Sequence, residues 1–246
     1  MPGVALLGCE PKAGKTYISA LLLKALKQSG LNPGYFKCAS TGVKSIEQSE
    51  AAQIRSLVPT GQELTEMIPY IYRQSGPVHL LGRKTGNYID AQVIQERFGW
   101  NTATHSCMVL EGIGDIISPL IMEDNEVLLQ EDIISRLRLN VVPIVRMSAK
   151  SMNLSTLAVL YLRRMGLNVP GIIINDYDQA NYAHRDSLKL IERFSQTPVI
   201  ATVAKNQTSI QLSLPFDELF ARQDNLDFYS AADDMDVSDD YDDITF

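Results

Sequence analysis

The segment Gly8-Cys9-Glu10-Pro11-Lys12-Ala13-Gly14-Lys15-Thr16 joins an apolar run to a helical pattern. Unpaired backbone N–H groups at a helix start and the positive end of its dipole converge there on one point, which makes an anion site. Gly8 and Gly14 let the backbone approach a phosphate, Lys15 reaches the β/γ-phosphates as a point charge, and Thr16 offers a hydroxyl to Mg2+. Lys12, Ala13 and the first helical turn, Tyr17-Ile18, complete the candidate nucleotide contacts. The spacing departs from G-x-x-x-x-G-K-[ST], because Cys9 stands where that pattern has glycine and Gly8 lies one residue earlier. The segment reads as a nucleotide cradle; the competing reading is a structural turn.

Three charged residues beyond the loop sit where they can serve it. Glu111 follows the apolar run Cys107 to Leu110 and precedes Gly112-Ile113-Gly114-Asp115, so its carboxylate falls at a strand's carboxyl end, where a metal bridging two phosphates is held. Glu50, at a helix start, is a second candidate metal ligand or simply a partner of the helix dipole. Lys37 ends a run followed by Ser40, Thr41 and Gly42; it either stabilises charge on a transferring phosphoryl group or faces solvent.

Positioning these residues requires a particular layout. Strand-like apolar runs recur at Val4 to Leu7, Pro33 to Cys38, Cys107 to Leu110, Val141 to Val145, Gly171 to Ile174 and Val199 to Val203. Helical patterns lie between them at Thr16 to Ser29, Ser49 to Val58, Ile89 to Phe98, Glu131 to Leu137, Asn153 to Met165 and Ala183 to Phe194. This alternation predicts an α/β fold: a doubly wound, mostly parallel sheet with helices on both faces and ligands at the strands' carboxyl ends. Residues 1–222 are expected to form one domain. Pro and Gly punctuation between Pro59 and Gly86 predicts a loop-rich insertion over the site, with His79 lining it, or else plain connecting surface. Trp100 reads as a packing anchor.

With 246 residues, 45% of them hydrophobic, the chain is able to bury a large core, which excludes disorder for most of its length. Nine of the 29 acids follow Arg222, so residues 223–246 read as a solvated, mobile tail, with an interaction tail as the alternative. The remaining body holds 22 basic against 20 acidic residues, a balance without a nucleic-acid footprint. Cys9, Cys38 and Cys107 lack CxxC spacing and sit in or beside apolar runs, which favours reduced thiols and a cytoplasmic location. His79, His105 and His184 lack metal-ligand spacing, and no apolar run approaches the roughly 20 residues of a membrane span. No membrane partner is expected.

Several of these pieces stand in a familiar order. The strand followed by G-x-x-x-x-x-G-K-T, Gly34-Tyr35-Phe36-Lys37 with Ser40-Thr41-Gly42, Glu50-Ala51, Leu110-Glu111-Gly112-x-Gly114 with Ser118-Pro119-Leu120, and Gly171-x-x-x-Asn175 together resemble the dethiobiotin synthetase family from Val4 to about Val203. The resemblance implies a P-loop fold and an ATP- and Mg2+-dependent homodimer acting on a small-molecule diamine and CO2. In that reaction 7,8-diaminononanoate takes up CO2 as a carbamate, ATP phosphorylates it, and the second amine displaces phosphate to close a ureido ring. It further implies that Lys15 and Thr16 serve phosphate and metal, and that Glu50 and Glu111 complete the metal shell. Lys37 and Thr41 would hold the carbamate, Asn175 would read the adenine edge, and Gly112 and Asn153 would lie at the substrate. The chain departs from the family pattern at Glu10, Pro11 and Lys12, at Asp115, at Lys150-Ser151-Met152-Asn153 and at Ala201-Thr202-Val203-Ala204. Pro11 removes a hydroxyl and a backbone N–H from the cradle. These departures motivate an alternative, a nucleotide-binding regulatory module like the P-loop domain attached to some phosphotransacetylases, and the acidic tail a third, a partner-binding scaffold.

Overall fold

The computed structural model describes residues 3–221; the expectations for the acidic tail fall outside the described residues. In chain order the elements are β1 (Gly3–Gly8), α1 (Lys15–Gln28), β2 (Pro33–Phe36), β3 (Ala39–Thr41), α2 (Glu50–Leu57), α3 (Leu64–Met67), β4 (Tyr70–Tyr72), α4 (Val78–Thr85), α5 (Ala91–Thr104) and β5 (Cys107–Glu111). They continue with β6 (Pro119–Glu123), β7 (Glu126–Leu129), α6 (Gln130–Arg136), β8 (Asn140–Arg146), α7 (Ser151–Arg164), β9 (Ile172–Asn175), α8 (Tyr182–Ser195), β10 (Val199–Val203) and α9 (Phe216–Leu219).

The central sheet has six strands in the order β10-β9-β8-β1-β5-β2, and its neighbours pair in parallel. The strands inside the sheet are buried on both faces, and the period-2 alternation of side chains divides them between two cores, while β10 at the edge is half-buried at Val199 and Thr202. Ala5 and Leu7 of β1 join Leu110, Val141 and Ile172 beneath α5, α6, α7 and α8. Val4 and Leu6 join Val109, Val142 and Ile173 beneath α1, α2 and α3. Helix α1 shows which force holds it. Gly14 provides no side-chain cap, an omission that costs only a few tenths of a kcal/mol at glycine, whereas Ile18, Leu22 and Leu26 at i, i+4, i+8 are wholly buried and contribute about 2 kcal/mol each.

The sheet order puts β1 between β5 and β8, which is the point where the winding reverses. Register does the rest: Leu6 lies opposite Glu111 and Phe36 opposite Leu110, so Gly8, Glu111 and Lys37 leave the sheet side by side at its carboxyl edge.

One expectation needs correction. Trp100 is 62% exposed and lies beneath the Arg97 guanidinium, 5.0 Å from its ring centroid; the packing anchor of α5 is Phe98, edge-on to Phe36 at 5.5 Å. The punctuated stretch from Pro59 to Gly86 carries α3, β4 and α4 as well as loops. Its strand β4 pairs in parallel with β3 and thereby fixes Thr41 opposite Tyr72.

Candidate active site

At the carboxyl end of β1 the chain turns through Lys12 (φ 62°) and Gly14 (φ 97°), left-handed conformations of which the second favours glycine for a further reason. A Cβ on Gly14 would stand 2.2 Å from Asn175 Nδ2. The first backbone bond of α1 runs from Ile18 N to Gly14 O, so the N–H groups of Lys15, Thr16 and Tyr17 precede the helical ladder. Ile18 itself is buried in the core, so of the first-turn pair only Tyr17 lines the cavity; its hydroxyl donates to Gln207 O.

The loop borders a cavity of about 290 Å3 that also receives Lys37, Glu50 and Glu111. Lys37 is buried, not solvent-facing. Its Nζ donates to Glu111 Oε1 at 2.7 Å and to Glu50 Oε1 at 3.0 Å. Thr16 Oγ1 donates to Glu111 Oε1 at 2.9 Å, Tyr35 OH donates to Glu111 Oε2 at 3.0 Å, and Ser40 Oγ donates to Glu50 Oε2. Burial pushes the Lys37 ammonium towards deprotonation, but the two carboxylates outweigh it and hold its pKa above the ordinary value. Burial also disfavours ionised Glu50, and Lys37 and Ser40 outweigh that to hold its pKa low. Lys15 is held below its ordinary value by burial and by the nearby Lys37.

These oxygens suit a hard divalent cation, since Mg2+ prefers one or two carboxylates together with substrate phosphates and water. Among the described residues no three His, Cys, Asp or Glu side chains converge as a metal site, so a cation here would rest on Thr16, Glu50, Glu111 and phosphate oxygens.

A second cavity of about 390 Å3 shares Gly114 in its lining with the first. Thr41 from β3, Pro77 and His79 from the start of α4, and Asp115 and Ser118 from the glycine-rich loop line it. Gln130 holds that loop by accepting from Ile113 N at 3.1 Å and donating to Ile116 O at 2.8 Å. Gly112 lines neither cavity: it is buried, and a Cβ there would strike Leu7 Cδ2 at 2.3 Å. Asn153 is exposed on α7 and also lines neither. Asn175 is buried at the end of β9 and donates Nδ2 to Ala13 O at 2.9 Å, bracing the loop, while its buried Oδ1 has no partner.

Tyr35 and Ser40 stand in the motifs that carry the resemblance but had no role of their own there. Tyr35 had a usable signal, since it lies two residues before Lys37 and alternation puts both on one face. Gln130 reaches the site through tertiary packing and carries no local signature.

A parallel sheet whose reversal point holds a glycine loop, a lysine and a helix start is a P-loop nucleoside-triphosphate-binding fold. FtsY from Mycoplasma mycoides has this fold in common with the chain at a TM-score of 0.51 and 11% identity, covering 89% of this chain and 65% of that one. The family model described as "AAA domain" matches residues 3–211. The ATP-dependent dethiobiotin synthetase BioD of Brachyspira hyodysenteriae is 33% identical over 190 residues, covering 77% of this chain and 86% of the relative. The same enzyme of Clostridium novyi is 28% identical over 224 residues, covering 88% and 94%. The chain belongs to this AAA-domain family and, within it, to the dethiobiotin synthetases.

Proposed function

We infer that the protein is an ATP- and Mg2+-dependent ligase that closes a ureido ring on 7,8-diaminononanoate with CO2. The observation that carries this reading is the shared wall at Gly114: a phosphate-sized cavity with Lys15, Thr16, Lys37 and two carboxylates lies on one side of it, and a second cavity able to hold an acceptor on the other. A regulatory nucleotide-binding module requires only the first of these, and the dethiobiotin synthetase relatives support the enzyme.

The loop N–H groups and Lys15 bind and orient the triphosphate. Bound at Thr16, Glu50 and Glu111, Mg2+ would neutralise charge on the phosphates during transfer. Lys37, at the border of both carboxylates, faces charge that develops on the carbamate and the transferring phosphoryl group, and Thr41 donates a hydroxyl from the acceptor side. The unpartnered Asn175 Oδ1 is an acceptor for the adenine amino group. The exposed Asn153 and the apolar side chains Leu157 and Leu160 on α7 fit a homodimer that brings Asn153 to the partner's substrate. Among the described residues no helix is long and apolar enough to cross a membrane, and the three cysteines are free thiols, in keeping with a cytoplasmic enzyme.

The test is incubation with MgATP, the diamine and 13C-bicarbonate. The label is expected in the ureido carbonyl of dethiobiotin by mass spectrometry; unlabelled diamine recovered intact would overturn the assignment.

A further inference from the structure

We propose that Asp115 is the counter-ion of a substrate ammonium in the second cavity, and that it orients the diamine with its nitrogens towards Gly114 and its carboxylate away. The lining of that cavity contains one carboxylate, Asp115, and neither lysine nor arginine. Glu50 and Glu111 belong to the phosphate cavity and are already engaged by Lys37, whereas the Asp115 carboxylate has no hydrogen-bond or ion-pair partner among the described residues. Its backbone is nevertheless fixed, because Asp115 O accepts from Ser118 Oγ at 3.0 Å and from Gln130 Nε2.

The charge is needed at this place. An amine approaching Gly114 meets Lys15, whose Nζ donates to Gly114 O, and the like charges repel. Asp115 directly follows Gly114, which lines both cavities and whose carbonyl accepts from Lys15 Nζ, so Asp115 stands on the side of the second cavity next to the phosphate loop. An ammonium removed from water there is stabilised only if paired. His79 lines the same cavity. A carboxylate entering the same end would be repelled, and this sets the direction of binding.

This inference rests on reading the protein as an enzyme that carboxylates a diamine. Its test is calorimetric titration of the full chain, loaded with Mg-ADP, with 7,8-diaminononanoate and separately with nonanoate. Asp115→Asn and Asp115→Gly are expected to weaken the diamine by about tenfold or more, leaving nonanoate and Mg-ADP affinities unchanged. In turnover, KM for the diamine rises by the same factor and kcat stays within about twofold. Unchanged diamine affinity in both variants overturns the assignment, as does a fall in kcat at constant KM. Asp115-dependent diamine binding without ureido product would contradict the enzyme reading alone; product formed with unaltered KM in both variants would contradict the Asp115 assignment alone.

Discussion

Lys37 Nζ lies 2.7 Å from Glu111 Oε1, with 6% and 1% of the two side chains exposed, and the same ammonium holds Glu50 at 3.0 Å. One cation thus keeps two carboxylates together where a divalent metal would also draw them. Removing it leaves buried negative charge uncompensated, which costs about 3 kcal/mol or more. Lys37→Ala is therefore expected to lose product formation and about 3 kcal/mol of stability, with ATP affinity retained through Lys15 and the loop. Urea unfolding and nucleotide titration check this; wild-type stability in the variant would contradict the paired geometry.

The same network sets a pH window. Glu50 has a folded pKa below its ordinary 4.5, so its contribution is present above that value and is lost as pH falls through the lower folded one. Lys37 has a folded pKa above 10.5, so its contribution is complete below 10.5 and is lost as pH rises through the higher folded one. The melting-temperature gap between wild type and Lys37→Ala should be flat across neutral pH and shrink at both extremes. A gap that grows in acid would refute the pairing.

Tyr35→Phe removes the fully buried donor to Glu111 Oε2 and no ring volume. Stability should fall by about 1 to 3 kcal/mol, and the Mg2+ concentration for half-maximal turnover should shift, because Glu111 loses its anchor. Denaturant melts and Mg2+ titrations read the two effects. An unmoved Mg2+ dependence would reduce Tyr35 to packing.

Lys15→Ala removes a loop charge and little core. Turnover should fall by about 100-fold or more, with the melting temperature within a few degrees of wild type. Steady-state assay and thermal melts decide, and retained turnover would take Lys15 out of the phosphate site.

Much of this was legible in the sequence for a physical reason. Apolar runs buried on both faces are continuous, so the six central strands stand out, and glycine with lysine at the first bend marks a cradle through local geometry alone. The β3–β4 pair and the β6–β7 hairpin were not legible: they are three to five residues long and held by register rather than periodicity. Trp100 misled because size suggests burial, whereas the helical phase of Ile94, Phe98 and Asn101 turns it outward. That Asn175 braces the loop by donating to Ala13 O had no sequence signal, since only the folded chain brings it against Gly14.

A buried acid away from the site gives an independent check on the packing. Glu131 is 1% exposed, accepts from Tyr161 OH, and burial pushes it up from 4.5 to about 7. Its folded state binds a proton more tightly than the unfolded state, so stability falls as pH rises from 4.5 to about 7 and stays low above that. Glu131→Gln should therefore stabilise the protein at pH ~8, by about 2 to 3 kcal/mol, with the gain vanishing near pH ~4. Equal gains at both pH values would show that burial of the charge is not the cause.

The most direct test of the central claim is the rate of ADP release at saturating bicarbonate and MgATP, with and without 7,8-diaminononanoate. Diamine is expected to stimulate release strongly, with one ADP formed for each ureido ring. Tight nucleotide binding with release indifferent to diamine would mean that the cavity at Gly114 holds no acceptor.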